Sequence, residues 1–302
     1  MTLDVSIVIA AHGLSQSLGR CLQALLGQLP GRKAEVILVV SGAGPSASEW
    51  LAEHRFPVIL IELAGAQNLA RMRLAGIRRA GGSIIALLDP FSIVRQGWLD
   101  ELISVHSRRP APAIGGAVGL YGRPGLAGRA IYLNEYGGFA PPLESGPAEV
   151  LPGCNVSYKR SAWEVVPVEG EDRPGFWKTF VNARLIRERH PLWLDGDLIV
   201  DLDKQIPFMD FLGTRFLHGR CYAGMRRVRM PLIERLLRSA GAPILPIVFL
   251  WRLARTCLRA GTARYLFLAT LPLQILLFTS WALGEMAGYL AGAGASCDRL
   301  IY

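Results

Sequence analysis

Residues 5–88 carry four runs of branched apolar residues, Val5–Ala10, Glu35–Val40, Val58–Leu63 and Ser83–Leu88, each of buried-strand type. Segments of helical spacing separate them. The first has its apolar stripe at Leu18, Cys21, Leu22, Leu25 and Leu26, with Ser15 or Ser17 as cap. Ser46–His54 reads as a short helix and Asn68–Arg79 as a longer one. A helix Trp98–Arg108 and a strand Ala113–Tyr121 continue the series. Such alternation admits little besides a doubly wound, mainly parallel α/β sheet. In that architecture ligands bind beyond the carboxyl ends of the strands. Asp89 stands at the end of the fourth strand, and Gly81-Gly82 break the chain before it.

The second half is organised differently. Gly122–Pro152 is rich in Gly and Pro and carries Tyr132, Asn134, Glu135 and Tyr136, which suits a long functional loop or a short helical insert. Helical spacing returns at Phe176–Arg189, a late strand at Leu192–Asp201, and an amphipathic helix at Met209–Met225. Tyr265–Gly284 then gives 20 residues without a formal charge. At 1.5 Å per residue they extend about 30 Å, the thickness of a bilayer core. Pro272, Gln274 and Thr279 interrupt the run, and a buried core helix is the competing account.

The net charge of +9 gathers near this tail, at Arg226, Arg227, Arg229, Arg235 and Arg238, then Arg252, Arg255, Arg259 and Arg264. Base-reading motifs and basic stretches interleaved with stacking aromatics are missing, which excludes nucleic acid as the partner and favours anionic lipid headgroups. The expected division is a domain over 1–225, a basic interfacial segment over 226–262 and a transmembrane helix with a short tail over 263–302. The arginines before a single span put the domain on the cytoplasmic side of the cell (inner) membrane and the C-terminus outside. A two-helix hairpin is the alternative, and it places Arg259 and Arg264 at the far end. The N-terminus enters a strand without a signal-type segment, and the five cysteines lack metal spacing, so reduced thiols in a cytoplasmic domain are expected.

Four stretches carry a resemblance: Met72-Arg73-Leu74-Ala75-Gly76-Ile77, Asp89-Pro90-Phe91, Leu151–Arg160 with Gly153 and Asn155, and Arg220-Cys221-Tyr222-Ala223-Gly224. Over roughly Val5 to Gly224 the chain resembles the family 2 inverting glycosyltransferases, which have the GT-A fold. The resemblance implies a nucleotide-sugar donor bound at Ala10, His12, Ser41, Arg73, Asp89 and Arg220, with Gly153 and Asn155 on the acceptor side. His12 stands where the family wraps the nucleotide base, or is an exposed loop histidine. Ser41 replaces the carboxylate that reads the base. Arg73 suits a diphosphate because its fork pairs with phosphate oxygens, although it shares its helix with Arg71, Arg78 and Arg79. Arg220 or His218 would steady the leaving diphosphate, or lie on lipid with the rest of the amphipathic helix.

The family's metal site is altered. Phe91 replaces the second Asp of the Asp-x-Asp motif, and the late strand Ile199-Val200-Asp201-Leu202 lacks the usual His. Asp89 is the one metal candidate, Asp201 and Asp203 being a remote substitute, so manganese or magnesium use is expected to be weak or absent. The acidic pair expected before Arg184-Leu185 falls on Trp177-Lys178, which leaves Glu171 or Asp172 as the general base. The implied activity is transfer of a sugar, with inversion, to a lipid-linked, polysaccharide or otherwise membrane-proximal acceptor. The alternative is a catalytically degenerate protein of this fold that binds a nucleotide sugar, a glycolipid or a partner glycosyltransferase.

Overall fold

The computed structural model describes residues 3–42, 47–165, 177–228, 230–259 and 263–300. Its first part is the alternating series β1 (Val5–Ala11), α1 (Gln16–Leu26), β2 (Ala34–Ser41), α2 (Ala47–Glu53), β3 (Ile59–Leu63), α3 (Leu69–Arg79) and β4 (Ile84–Leu88). After a short β5 (Ser92–Val94) come α4 (Trp98–Arg108), β6 (Ala113–Leu120), α5 (Leu126–Tyr136), β7 (Gly146–Ala148), β8 (Asn155–Lys159) and the single turn α6 (Ala162–Val165). Then follow α7 (Trp177–Arg187), β9 (Leu192–Leu202), α8 (Phe208–Arg227), α9 (Leu232–Gly241), α10 (Leu245–Arg259) and α11 (Ala263–Ala291).

The strands form one mixed, mostly parallel sheet in the order β3-β2-β1-β4-β8-β6-β9-β5, with β7 added beside β9. β3, β2, β1 and β4 run parallel, β8 enters antiparallel between β4 and β6, and β6 and β9 are again parallel. Every residue of β1 is buried, because helices cover both faces. One face packs α1, α4 and α5 over Ile7, Leu38, Ala86 and Val200. The other packs α3 and α7 over Val8, Val39, Leu87 and Tyr158. Local signals set the helix starts: Ser15 rather than Ser17 caps α1, accepting from the Leu18 amide, and Asn68 caps α3 through the Arg71 amide. Gly76 lets α3 sit directly on Val8 and Val39, where a β-carbon would collide with both.

The tail departs from the expected layout. Two stretches, Leu232–Cys257 and Arg264–Ala291, are long and apolar enough to cross a membrane, where one was expected. α11 lies along the protein. It runs beside α8 in the same direction, with Gly284 and Gly288 against the Phe216 and Arg220 backbone and Gly219 against that of Trp281. Small residues let these two backbones touch. Near its start Phe267 joins the core cluster of Tyr132 and Leu133, and further on the Gln274 amide donates to the Ala130 carbonyl at 2.8 Å. Beyond its end, Cys297 and Leu300 line the same cavity as Asp89. The C-terminal segment therefore returns to the domain that carries Asp89. What α9, α10 and α11 turn outward is strongly apolar, including Leu232, Ile233, Leu237, Ile247, Trp251, Leu268 and Ile275.

The expectation of free thiols is met by Cys21, Cys154 and Cys257, which are buried and unbonded. Cys221 and Cys297 are instead joined by a disulfide, because α11 returns the chain to α8. A separation of 76 residues gives no local sign of such a pair.

Candidate active site

The end of β4 builds the site. Leu88 is paired with Ile9 of β1 on one side and with Asn155 of β8 on the other, so the next residue, Asp89, leaves the sheet at its middle. It opens on a cavity of about 300 Å³. Three other elements send cations there. Arg73 reaches in from α3, and its guanidinium donates to Asp89 Oδ1 at 2.7 Å. From α7, the Lys178 ammonium lies 3.8 Å from the same oxygen and donates to the Gly153 carbonyl. Lys204, just past β9, grips both carboxylate oxygens of Glu135 at 2.9 and 2.8 Å and stands 5.3 Å from the centre of the Phe91 ring.

Burial sets the charges. It opposes ionisation of Asp89, but Lys178 and Arg73 outweigh it and hold the carboxyl below its ordinary value. Burial, aided by Arg73, pulls Lys178 down to about 8 even though Asp89 works the other way. His218, on α8 in the same wall, is pushed well below its ordinary value by burial and by Arg215, which makes it neutral. Cys154 is pushed up to about 12, mainly by burial, so its thiol is inert. The Arg73 Nε is buried without a hydrogen-bond partner among the described residues.

The residues expected from sequence are distributed as follows. Asp89, Arg73 and Gly153 line the cavity. Ala10, His12 and Ser41 gather beside it, at the ends of β1 and β2. There the Ser41 hydroxyl donates to the Gly65 carbonyl at 2.9 Å and accepts from the Gln67 amide at 2.8 Å. His12 Nε2 donates to the Gln67 carbonyl at 2.7 Å. Asn155 is elsewhere: its side chain is fully buried, accepting from Trp98 and donating to the Ala117 and Leu198 carbonyls. It ties β8 to β6 and β9. Arg220 is also elsewhere, donating to the Gly292 carbonyl at the end of α11, where a cation suits the exposed carbonyls. Glu171 and Asp172 lie outside the described residues, while Lys178 and Thr179, just after them, line the cavity.

Sequence reasoning passed over Lys178 as a site residue, although counting back from Arg184-Leu185 lands on it. It flagged Glu135 without assigning a role, and nothing in the sequence announced Lys204, Cys297 or Leu300. The remote metal candidates are spent on ion pairs, Asp201 with Arg95 and Asp203 with Arg20. A divalent cation wants several hard oxygen ligands. Here Asp89 is engaged by two cations and Phe91 offers no oxygen. Among the described residues no three His, Cys, Asp or Glu side chains gather as a set. The donor set does not fit a divalent metal.

Comparisons with known proteins agree with this architecture. The glycosyltransferase AglE of Haloferax volcanii is 27% identical over 118 residues, and the match takes in 38% of this chain and 39% of that protein's length. The mannosyltransferase PcManGT from Pyrobaculum calidifontis, solved with GDP-Man and Mn2+, superimposes with a TM-score of 0.58 at 17% identity, over 96% of this chain and 88% of that one. GalNAc-T7, solved with UDP, GalNAc and Mn2+, gives a TM-score of 0.55 at 13% identity, over 68% and 44% of the two chains. These likenesses establish a shared fold, the GT-A type. The model of glycosyl transferase family 2 matches residues 6–166, more than half of the sequence and nearly all of the segment from β1 through β8, and the chain belongs to that family.

Proposed function

We propose that the protein transfers a sugar from a nucleotide-sugar donor to a membrane-proximal acceptor, lipid-linked or polysaccharide, by a single inverting displacement. The observation that carries this reading is the cavity at the end of β4, where Asp89 sits between Arg73 and Lys178 at the position the fold reserves for ligands. In this reading the nucleotide base rests on His12, Ala10 and Ser41, and the diphosphate lies toward Asp89 and Arg73. A carboxylate takes the proton of the acceptor hydroxyl as its oxygen bonds to the anomeric carbon. The bond from that carbon to the diphosphate breaks, and the nucleoside diphosphate leaves with the electron pair. Glu171 or Asp172 is the proposed base, supported by the position of Lys178 and Thr179 in the cavity wall. The solved relatives' nucleotide ligands, GDP-Man and UDP, support the donor class.

The outward apolar face of α9 to α11 and the exposed Arg252 and Arg255 support membrane association, with the domain (1–225) cytoplasmic and the helices of 226–302 resting on the inner membrane. The test is transfer itself. Purified protein is given radiolabelled UDP-, GDP- and dTDP-sugars with membrane lipid extract, and label is expected to appear in the lipid phase with at least one donor. A Glu171→Gln/Asp172→Asn double variant is expected to lose about a hundredfold or more in rate, and unchanged transfer would remove both residues from the role of base. One observation favours a second reading: Lys178 stands where the family keeps an acidic group, as in a protein that binds donor without turning it over. Saturable donor binding with no transfer to any acceptor pool would select that reading.

A further inference from the structure

We infer that Lys178 and Arg73 together form a built-in cation that takes the donor's diphosphate without a divalent metal. The inference rests on the nucleotide-sugar reading above and deepens it.

Charge balance is the first argument. Lys204 is neutralised by Glu135 through two short contacts. Lys178 and Arg73 share a single carboxylate, Asp89, and the third carboxylate of the cavity, Glu149, is exposed to solvent, so this buried inner group carries one positive charge in excess. An uncompensated charge that is buried is costly, and a diphosphate oxygen entering the cavity relieves that cost. Donor capacity is the second. The Arg73 Nε is a buried donor without a partner among the described residues, and Arg73 is 6% exposed. An ammonium has three donors, and the Gly153 carbonyl takes one of those on Lys178. Arg supplies the planar fork and Lys the point charge, the two forms in which proteins hold phosphate.

The third argument is exclusion. A metal bridging the diphosphate to the protein would have to displace both cations from Asp89 and find a second ligand where Phe91 presents a ring. Two positive groups at the same carboxylate repel a dication and attract a polyanion. Asp89 thus becomes the positioning residue that holds the two cations in place.

Calorimetry of the full-length protein with UDP-glucose, GDP-mannose and dTDP-glucose, in EDTA and in manganese, tests this. The expected result is binding of at least one donor in EDTA, changed less than twofold by manganese. Lys178→Ala is expected to weaken that binding about tenfold or more, as loss of a buried charge-assisted contact does. Manganese should not restore it, and Lys178→Arg should retain most of it. Circular dichroism melting of each variant separates loss of binding from loss of fold. Donor binding by the wild type in manganese alone would overturn the inference and leave the glycosyltransferase reading standing. Binding in EDTA that survives in folded Lys178→Ala would overturn it as well. Failure of all three donors under both conditions would sink the nucleotide-sugar reading itself, and the inference with it.

Discussion

Two neighbouring places on the same edge of the sheet are held together by opposite means. At the ends of β1 and β2 the polar groups answer one another through hydrogen bonds, without an ion pair among them: His12 to Gln67, Gln67 to Ser41, Ser41 to Gly65. Past the end of β4 they are charged, and Asp89, Arg73, Lys178, Lys204 and Glu135 depend on one another for balance. A hydrogen bond in the first set contributes about 1 kcal/mol and can be lost alone. A charge removed from the second leaves its partner buried and uncompensated, at about 3 kcal/mol or more. The same edge can therefore vary freely where the base is proposed to rest, and very little where the diphosphate is.

That contrast can be broken in order of effect. Asp89→Asn keeps the shape of the side chain but leaves Arg73 and Lys178 facing each other. Urea unfolding should show a loss of about 3 kcal/mol, and a loss below about 1 kcal/mol would mean that the two cations are not held by Asp89. A titration sharpens the same point without a mutation. Lys178 must be protonated to hold an anion and gives up its proton near pH 8, whereas its neighbours Asp89 and Cys154 stay in one state there, the first held below the carboxylate range and the second at about 12. Above pH 8 the charged fraction of Lys178 falls tenfold per unit. Donor affinity should fall toward about that slope, and Lys178→Arg should flatten it. Ser41→Ala, in the hydrogen-bonded set, should cost about 1 kcal/mol of stability through the loop at Gly65–Gln67. His12→Ala is the smallest, expected to change the preference among UDP, GDP and dTDP donors by less than about threefold. A larger change at His12 than at Lys178 would reverse the comparison.

The first half of the fold was legible because its signals are local. Branched apolar runs, Ser15 and Asn68 as caps, and Gly81-Gly82 before β4 each act within a few residues of themselves, and the strands lie within a residue or two of where they were expected. The position of Asp89 followed from that series. What was not legible depends on distant partners. From sequence β8 reads as a motif and its Asn155 as an acceptor-side residue, because nothing near it shows that Trp98, Ala117 and Leu198 claim its amide. The sequence does not single out Lys178, because a lysine's role is fixed by what surrounds it, here Asp89 from one strand end and Arg73 from another helix. Arg220 matched a motif yet is spent on α11, which the sequence marks as apolar without saying where it lies.

The wall that Cys297 and Leu300 give the cavity also has a place in time. They leave the ribosome more than 200 residues after Asp89. At the usual pace of synthesis that is a delay of roughly ten seconds or more. During it the sheet can form with its charged pocket open on one side and no α11 to cover Tyr132 and Leu133. Closure waits until the glycines of α11 find those of α8. The same docking leaves the apolar faces of α9 and α10 turned outward, so one late event both completes the pocket and presents the surface proposed to rest on the membrane.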